Sequence, residues 1–338
     1  MTDQRFPLRR LPDDLGSMIL NTMEYREIIA YSFLSKKAYS MVKDLRLPIF
    51  SVIMTMKKQP QIDVKLSSTY IKFELNMPEN DEKMAHLNGF PVDVKVTYRK
   101  FENRGFSEKI STWTNQGKTF GEWIQHLCSI NQPKGFYVNV FHVREIALDI
   151  QTLRNIFPKL GIVNIIFPQA ESNKHDISSA QNVSKAFLLG AKWVQLERAP
   201  FQDHFSIQHI GMANLKWLEM RSPQNLNVYD LLSLNVERIY LHTDQLSLRD
   251  LNRFFKLWTK GSNPKLEILT VFWRTEIIPE WNVLLKGLKP EEVEEEGSRK
   301  YVIQNCRKVC AKIGCRQLSF GNFLIQFTVP TVISQSED

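Results

Sequence analysis

Three changes of pattern predict a chain of mixed α+β and α/β class. It should run as short helices, then a small, mostly antiparallel sheet, then alternating strands and helices. Apolar residues recur with a helical period from Leu15 to Leu45, and the period drops to two between Phe50 and Tyr98. Beyond residue 140 one apolar spacing returns several times with helical stretches between. The expected domains are therefore a helical module at 6–48, a β-rich region at 49–118 and a repeat-like α/β region at 119–330.

The chain has 338 residues, enough for two or three cores rather than one small one. Hydrophobic residues make up 43% and charged residues 24%, values ordinary for a globular protein. The net charge of +8 could serve nucleic acid or an anionic membrane, yet no run of five Lys or Arg occurs, and that scatter argues against a nucleic-acid surface. No signal-peptide core follows Met1, and no stretch of 18 uninterrupted apolar residues occurs. The expected setting is intracellular, in cytoplasm or nucleus, with no membrane partner.

In the helical module, Leu11-Pro12-Asp13-Asp14 opens the first helix. Proline suits a first turn, where its missing N–H would be unpaired, and acids favour the positive end of the dipole. Leu15, Met18, Ile19, Thr22 and Met23 then form one stripe. A second helix is expected at 25–32 with Ile28 and Ile29, and a third at 35–45 with Ala38, Tyr39, Val42 and Leu45. Forty residues bury little alone, so this module needs a partner or a neighbour. A plain three-helix cap on the next domain satisfies the physics equally well.

The set Leu11-Pro12-Asp13-Asp14, Ile19-Leu20, Ile28-Ile29, Ser35-Lys36-Lys37 and Val42 resembles an F-box, and the opening FPLRRLP resembles the F-box subgroup expanded in nematodes. Tyr39 stands near where many F-boxes carry a tryptophan in the third helix. The resemblance implies docking on a Skp-family adaptor, and through it a cullin. The residues it assigns to that contact are Leu11, Pro12, Leu15, Ile19, Ile28, Ile29, Leu34, Ser35, Lys37 and Val42.

Strands are expected at 50–56, 70–75 and 92–98, with a polar loop at 76–91. A helix follows at 119–130, opened by the capping-box pair Thr119 and Glu122 and carrying Trp123, Leu127 and Ile130 on one face. His126 on that helix receives no role.

The recurrent spacing is apolar-x-x-apolar-x-apolar. It starts at Val143, Leu160, Ala191, Leu215, Val236 and Leu266, so successive starts differ by 17, 31, 24, 21 and 30 residues. One such triple arises by chance at about one position in twelve at this hydrophobicity, so the weight lies in its alternation with helices. Helices are expected at 176–189, 229–234 and 247–260, the last with Ser247 and Asp250 at its start and Gly261 as its stop. These spacings suggest an irregular, leucine-rich-repeat-like αβ solenoid; a doubly wound α/β domain is the alternative. The acidic run 290–298 reads as a solvated loop, and 318–329 as a last strand.

The helices at 119–130 and 247–260, with Leu251, Phe254, Trp258 and Leu266, resemble the second type of F-box-associated domain over about 120–275. That resemblance implies a substrate-binding role.

Sequence features for chemistry are sparse. No phosphate-binding glycine loop, H-E-x-x-H or G-x-S-x-G occurs, and His204 and His209 lie five apart, off one helical face. Cys306, Cys310 and Cys315 have no His nearby and no zinc-like spacing; with Cys128 they read as free buried thiols. No enzyme activity, cofactor or metal is expected. If the repeat region binds an unknown target protein, the residues between its inner apolar positions face outward: Ala147, Asn164, Gln195, Glu219, Tyr240 and Thr270. The flanking outward set is Glu145, Ile162, Trp193, Trp217, Arg238 and Ile268. Trp193, Gln195, Trp217, Glu219, Arg238 and Tyr240 are the candidate contacts, Trp, Tyr and Arg being the types that dominate interfaces. The tryptophans could equally be covered core. The leading function is a substrate-recognition subunit of a Skp–cullin–F-box ubiquitin ligase. The alternatives are a repeat-type interaction scaffold unconnected with ubiquitin and a nucleic-acid binder.

Overall fold

The computed structural model describes residues 13–78, 85–102, 105–130, 136–147, 149–157, 161–187, 190–201, 215–274, 280–295, 298–318 and 322–330. Leu11, Pro12, His204 and His209 lie outside the described residues. The chain divides into two compact units, Met1–Val140 with Glu145–Ala147 and Asn155–Lys159, and Phe141–Arg144 with Leu148–Arg154 and Leu160–Asp338.

The first unit begins with α1 (Asp13–Leu20), α2 (Tyr25–Ser32) and α3 (Lys36–Asp44). Leu20, Ile29, Ala38 and Val42 close a small core between them. Ser35 starts α3 by accepting a hydrogen bond from the Ala38 backbone N–H at 3.1 Å. An antiparallel meander follows: β1 (Ile49–Met56), β2 (Gln61–Leu66), β3 (Thr69–Asn76), then β4 (Ala85–His86) outside the meander, β5 (Asp93–Glu102) and β6 (Gly105–Thr114). Burial alternates along β3, with Ile71, Phe73 and Leu75 inward. β2 and β6 are absent from the sequence expectation. β2 places Asp63 among buried residues, and β6 is exposed over most of its length, so neither gives clean alternation.

α4 (Phe120–Ser129) carries the expected capping box between Thr119 and Glu122, and it belongs to this first unit rather than to the C-terminal region. Thr119→Ala should lower the stability of this unit by about 1 kcal/mol, read as a shift in denaturant midpoint with unchanged slope. Trp123 of α4 and Trp113 of β6 lie 6.2 and 5.7 Å from Phe73, so the buried sheet face is filled by aromatic rings.

β7 (Phe136–His142), β8 (Ile146–Ala147) and α5 (Ile150–Ile156) come next; β8 pairs in parallel with β4. The spacing at Val143 therefore marks no long strand.

The second unit carries β9 (Ile162–Ile166), α6 (Lys174–Phe187), β10 (Trp193–Glu197), β11 (Trp217–Arg221), α7 (Val228–Leu232), β12 (Arg238–His242), α8 (Leu248–Thr259) and β13 (Ile268–Arg274). β9 to β13 are parallel neighbours in chain order with no register slip. The other five recurrences of the spacing fall on these strands, and their inner residues, Val163 and Ile165 through Leu269 and Val271, are buried. α8 has the expected capping box of Ser247 and Asp250. Gly261 ends it at φ +101°, a left-handed conformation that suits glycine. Phe255 and Trp258 reach Phe327, at centroid distances of 5.4 and 4.9 Å.

α9 (Trp281–Leu284) leads into an antiparallel end: β14 (Glu291–Glu295), β15 (Ser298–Gln304), β16 (Cys310–Gln317) and β17 (Asn322–Thr328), with β17 against β13. The acidic run expected as a loop is β14. Cross-strand cations make this possible: Arg299 pairs with Glu292 at 2.7 Å, and Lys300 and Lys312 both reach Glu295. All four cysteines are free, but Cys128 and Cys315 are half-buried rather than buried, and Cys306 and Cys310 are exposed, Cys306 in the turn between β15 and β16 and Cys310 at the start of β16.

Candidate functional site

The three N-terminal helices sort the predicted adaptor contacts into two sets. Leu15, Leu34 and Lys37 are exposed, as is Met18, with Leu15 at 44%, Met18 at 65% and Leu34 at 51% of full exposure. Ile28, Ile29 and Val42 face inward and are buried, Ile19 is half-buried, and the Ser35 hydroxyl is engaged in capping α3. The reason lies in α1: Gly16 and Leu20, one turn apart, are both buried, and an added Cβ at Gly16 would come within 2.4 Å of Met41. That face is pressed on α3, which leaves Leu15 and Met18 turned away.

This module is fastened to the rest of its unit. Glu24, at the start of α2, accepts from Lys109 of β6 at 2.7 Å and from Arg26 at 2.8 Å. The Lys109 hydrogen bond is the main reason its carboxyl titrates below the usual range. On the other side, Phe33 stacks on His126 at 3.9 Å and lies 4.4 Å from Trp123. His126 shares a 2.7 Å hydrogen bond with the Ser32 hydroxyl, and Tyr39 leans on its ring at 5.2 Å. His126, given no role from sequence, is thus the joint between α2 and α4. The signal was not readable, because the residues it joins are 94 positions apart.

Burial, helped by the charge of Lys118, pulls the His126 pKa down to about 4. The unfolded chain takes up this proton near 6.5, the folded chain only near 4. The contribution to stability is complete above about pH 6.5 and is lost as pH falls through that interval. With allowance for water at the half-buried ring, the loss between pH 7 and pH 5 should be about 1 kcal/mol. Denaturant midpoints at the two pH values should show that difference shrinking in His126→Phe, which keeps the stack; a difference as large as in the wild type would rule out this account.

In the second unit the predicted target contacts do come together. Trp193, Trp217 and Arg238 occupy one row across β10, β11 and β12, and Gln195, Glu219 and Tyr240 the next row. The rings of Trp193 and Trp217 stack at 4.5 Å, those of Trp217 and Tyr240 at 4.7 Å, and the Arg238 guanidinium lies 6.0 Å from the Trp217 ring. Glu219 accepts from Arg221 at 2.6 Å and sits 3.5 Å from His242; the His242 contact leads in holding its carboxyl below the usual range. Glu219 and Thr270 are buried, so this face is less open than strand alternation implies. At its edge His242 stacks on Phe272 at 4.2 Å, beside a cavity of about 360 Å³ also lined by Gln224, Asp244 and Asn322.

Among the described residues no group of three or more His, Cys, Asp or Glu is placed to hold a metal ion, and no helix is long and apolar enough to cross a membrane.

Comparison with known proteins finds two family-model matches and two relatives. A family model described as F-box domain matches residues 8–50, and one described as F-box associated matches 206–271, a narrower span than the sequence resemblance. An uncharacterized Caenorhabditis elegans protein is 22% identical over 323 residues, covering 92% of this chain and 70% of the relative. The F-box associated domain-containing protein sdz-33 of the same organism is 26% identical over 269 residues, covering 77% and 76%. No solved structure matches.

Proposed function

We propose that this chain, which carries an F-box domain followed by an F-box-associated domain, is the substrate-recognition subunit of a Skp–cullin–F-box ubiquitin ligase. The order of these two domains carries the reading. The exposure of Leu15, Met18 and Leu34 on a module whose inner face is already filled supports it. The chain contributes no reaction of its own. It raises effective concentration: one surface holds the adaptor and its cullin, another holds a target, and the target's lysines stay near the conjugating enzyme.

The target surface in this reading is the aromatic face of Trp193, Gln195, Trp217, Glu219, Arg238 and Tyr240. We read β9 to β13 with their intervening helices as an irregular αβ solenoid, since strand order follows chain order without reversal. A doubly wound sheet reverses its order and binds at the switch point. The antiparallel strands β14 to β17 end the run. The setting is intracellular.

Co-purification tests the reading. The full chain expressed with a Skp-family adaptor should yield a stoichiometric complex by size-exclusion chromatography. A folded chain that ignores the adaptor at micromolar concentration would favour a scaffold unconnected with ubiquitin.

A further inference from the structure

A cavity of about 310 Å³ opens beside the C-terminal end of α2. Phe33 and Leu34 supply one wall, Trp113 and Thr114 at the end of β6 a second, and Lys118 and Trp123 a third. Four of these six residues lie outside the 8–50 match to the F-box.

Four properties make it more than a gap in packing. Its walls are held: Phe33 lies 4.4 Å from Trp123 and 6.5 Å from Trp113, and the Trp123 indole donates to Asn115 at 3.2 Å. A preformed site avoids the ordering cost of binding. Its walls are also of the types that anchor interfaces, two tryptophans with an exposed leucine at the rim. Its size lies at the lower end of ligand pockets, which suits one large side chain better than an extended molecule. The surroundings are basic. Lys118 lines the cavity, and Lys36 and Lys37, exposed at the start of α3, follow Leu34 closely in the chain.

We propose that this cavity is an anchor pocket for the adaptor, taking one leucine-, methionine- or phenylalanine-sized side chain from an acidic stretch of that protein. Charge complementarity and continuity with Leu34 select this occupant. The inference rests on the docking reading and extends the docking surface past the F-box, so that β6 and α4 take part in binding.

The test uses the full chain and purified adaptor, with affinity measured by calorimetry and fold by circular dichroism. Thr114→Trp fills the mouth from an exposed strand position, and Lys118→Glu reverses the charge there. Thr114→Trp should weaken adaptor binding at least tenfold. Lys118→Glu should weaken it several-fold at low salt, with the deficit shrinking as salt is added. Wild-type affinity in both variants, with binding lost in Leu15→Asp, would overturn the pocket and leave the docking reading standing. Failure of the wild-type chain to bind would overturn both. A change in self-association by light scattering with adaptor affinity intact would assign the pocket to a contact between copies and overturn the proposal.

Discussion

Leu15→Asp combined with Met18→Asp should weaken adaptor binding by about a hundredfold or more, about 2.8 kcal/mol, without lowering thermal stability. Both side chains are large and apolar, and both are exposed on the side of α1 opposite the buried Gly16 and Leu20. Surface substitutions away from packed features cost little stability, whereas a carboxylate set against an apolar partner surface carries its full desolvation cost into the complex. Calorimetry against the adaptor reads the first effect and a melting curve the second. Ile28→Asp would look similar in a pull-down and mean nothing, because Ile28 is 3% exposed and its neighbour Ile29 is fully buried. An unpaired carboxylate there costs several kcal/mol of fold stability. A doubly substituted chain that melts and binds like the wild type would remove α1 from the docking surface.

The contrast between Leu15 and Ile28 shows what could be read from sequence. Both belong to the same resemblance, and periodicity placed both on helices. Periodicity finds the apolar stripe of a helix but not which part a neighbour covers, since that depends on residues far along the chain. The joint made by Phe33, His126, Trp123 and Trp113 is of that kind. Ser32 and His126 meet across 94 positions, and no local pattern marks either. In the second unit the reverse holds. Parallel strands of five residues alternate inward and outward regularly, so the apolar spacing put Trp193, Trp217 and Tyr240 on one face before their rings were seen to stack. The spacing could not say that Glu219 would be buried beside Arg221 and His242. β14 failed for a plain reason: consecutive glutamates repel in isolation, and the cations that offset them lie on β15 and β16.

Arg144→Met should destabilise the second unit more than Asp176→Asn, although the two residues form one pair. Arg144 donates to Asp176 through Nε at 3.3 Å and Nη2 at 2.6 Å, and Nη2 also reaches the Glu171 carbonyl at 2.7 Å. The partners differ in their access to water: the Arg144 side chain is 37% exposed, that of Asp176 is fully buried. Removing the arginine strands a buried charge, a loss of about 3–5 kcal/mol. Removing the charge from position 176 leaves a guanidinium that can turn to solvent. It also leaves a side chain that can still accept from the Asn173 backbone N–H, as Asp176 does at 2.9 Å at the start of α6. The expected loss there is about 1–2 kcal/mol, close to that of one charge-assisted hydrogen bond. Urea denaturation of the two variants at neutral pH would rank them. Equal losses, or a larger loss for Asp176→Asn, would mean that the carboxylate is held mainly by Asn173 and the helix start, with Arg144 a surface ion pair of little weight.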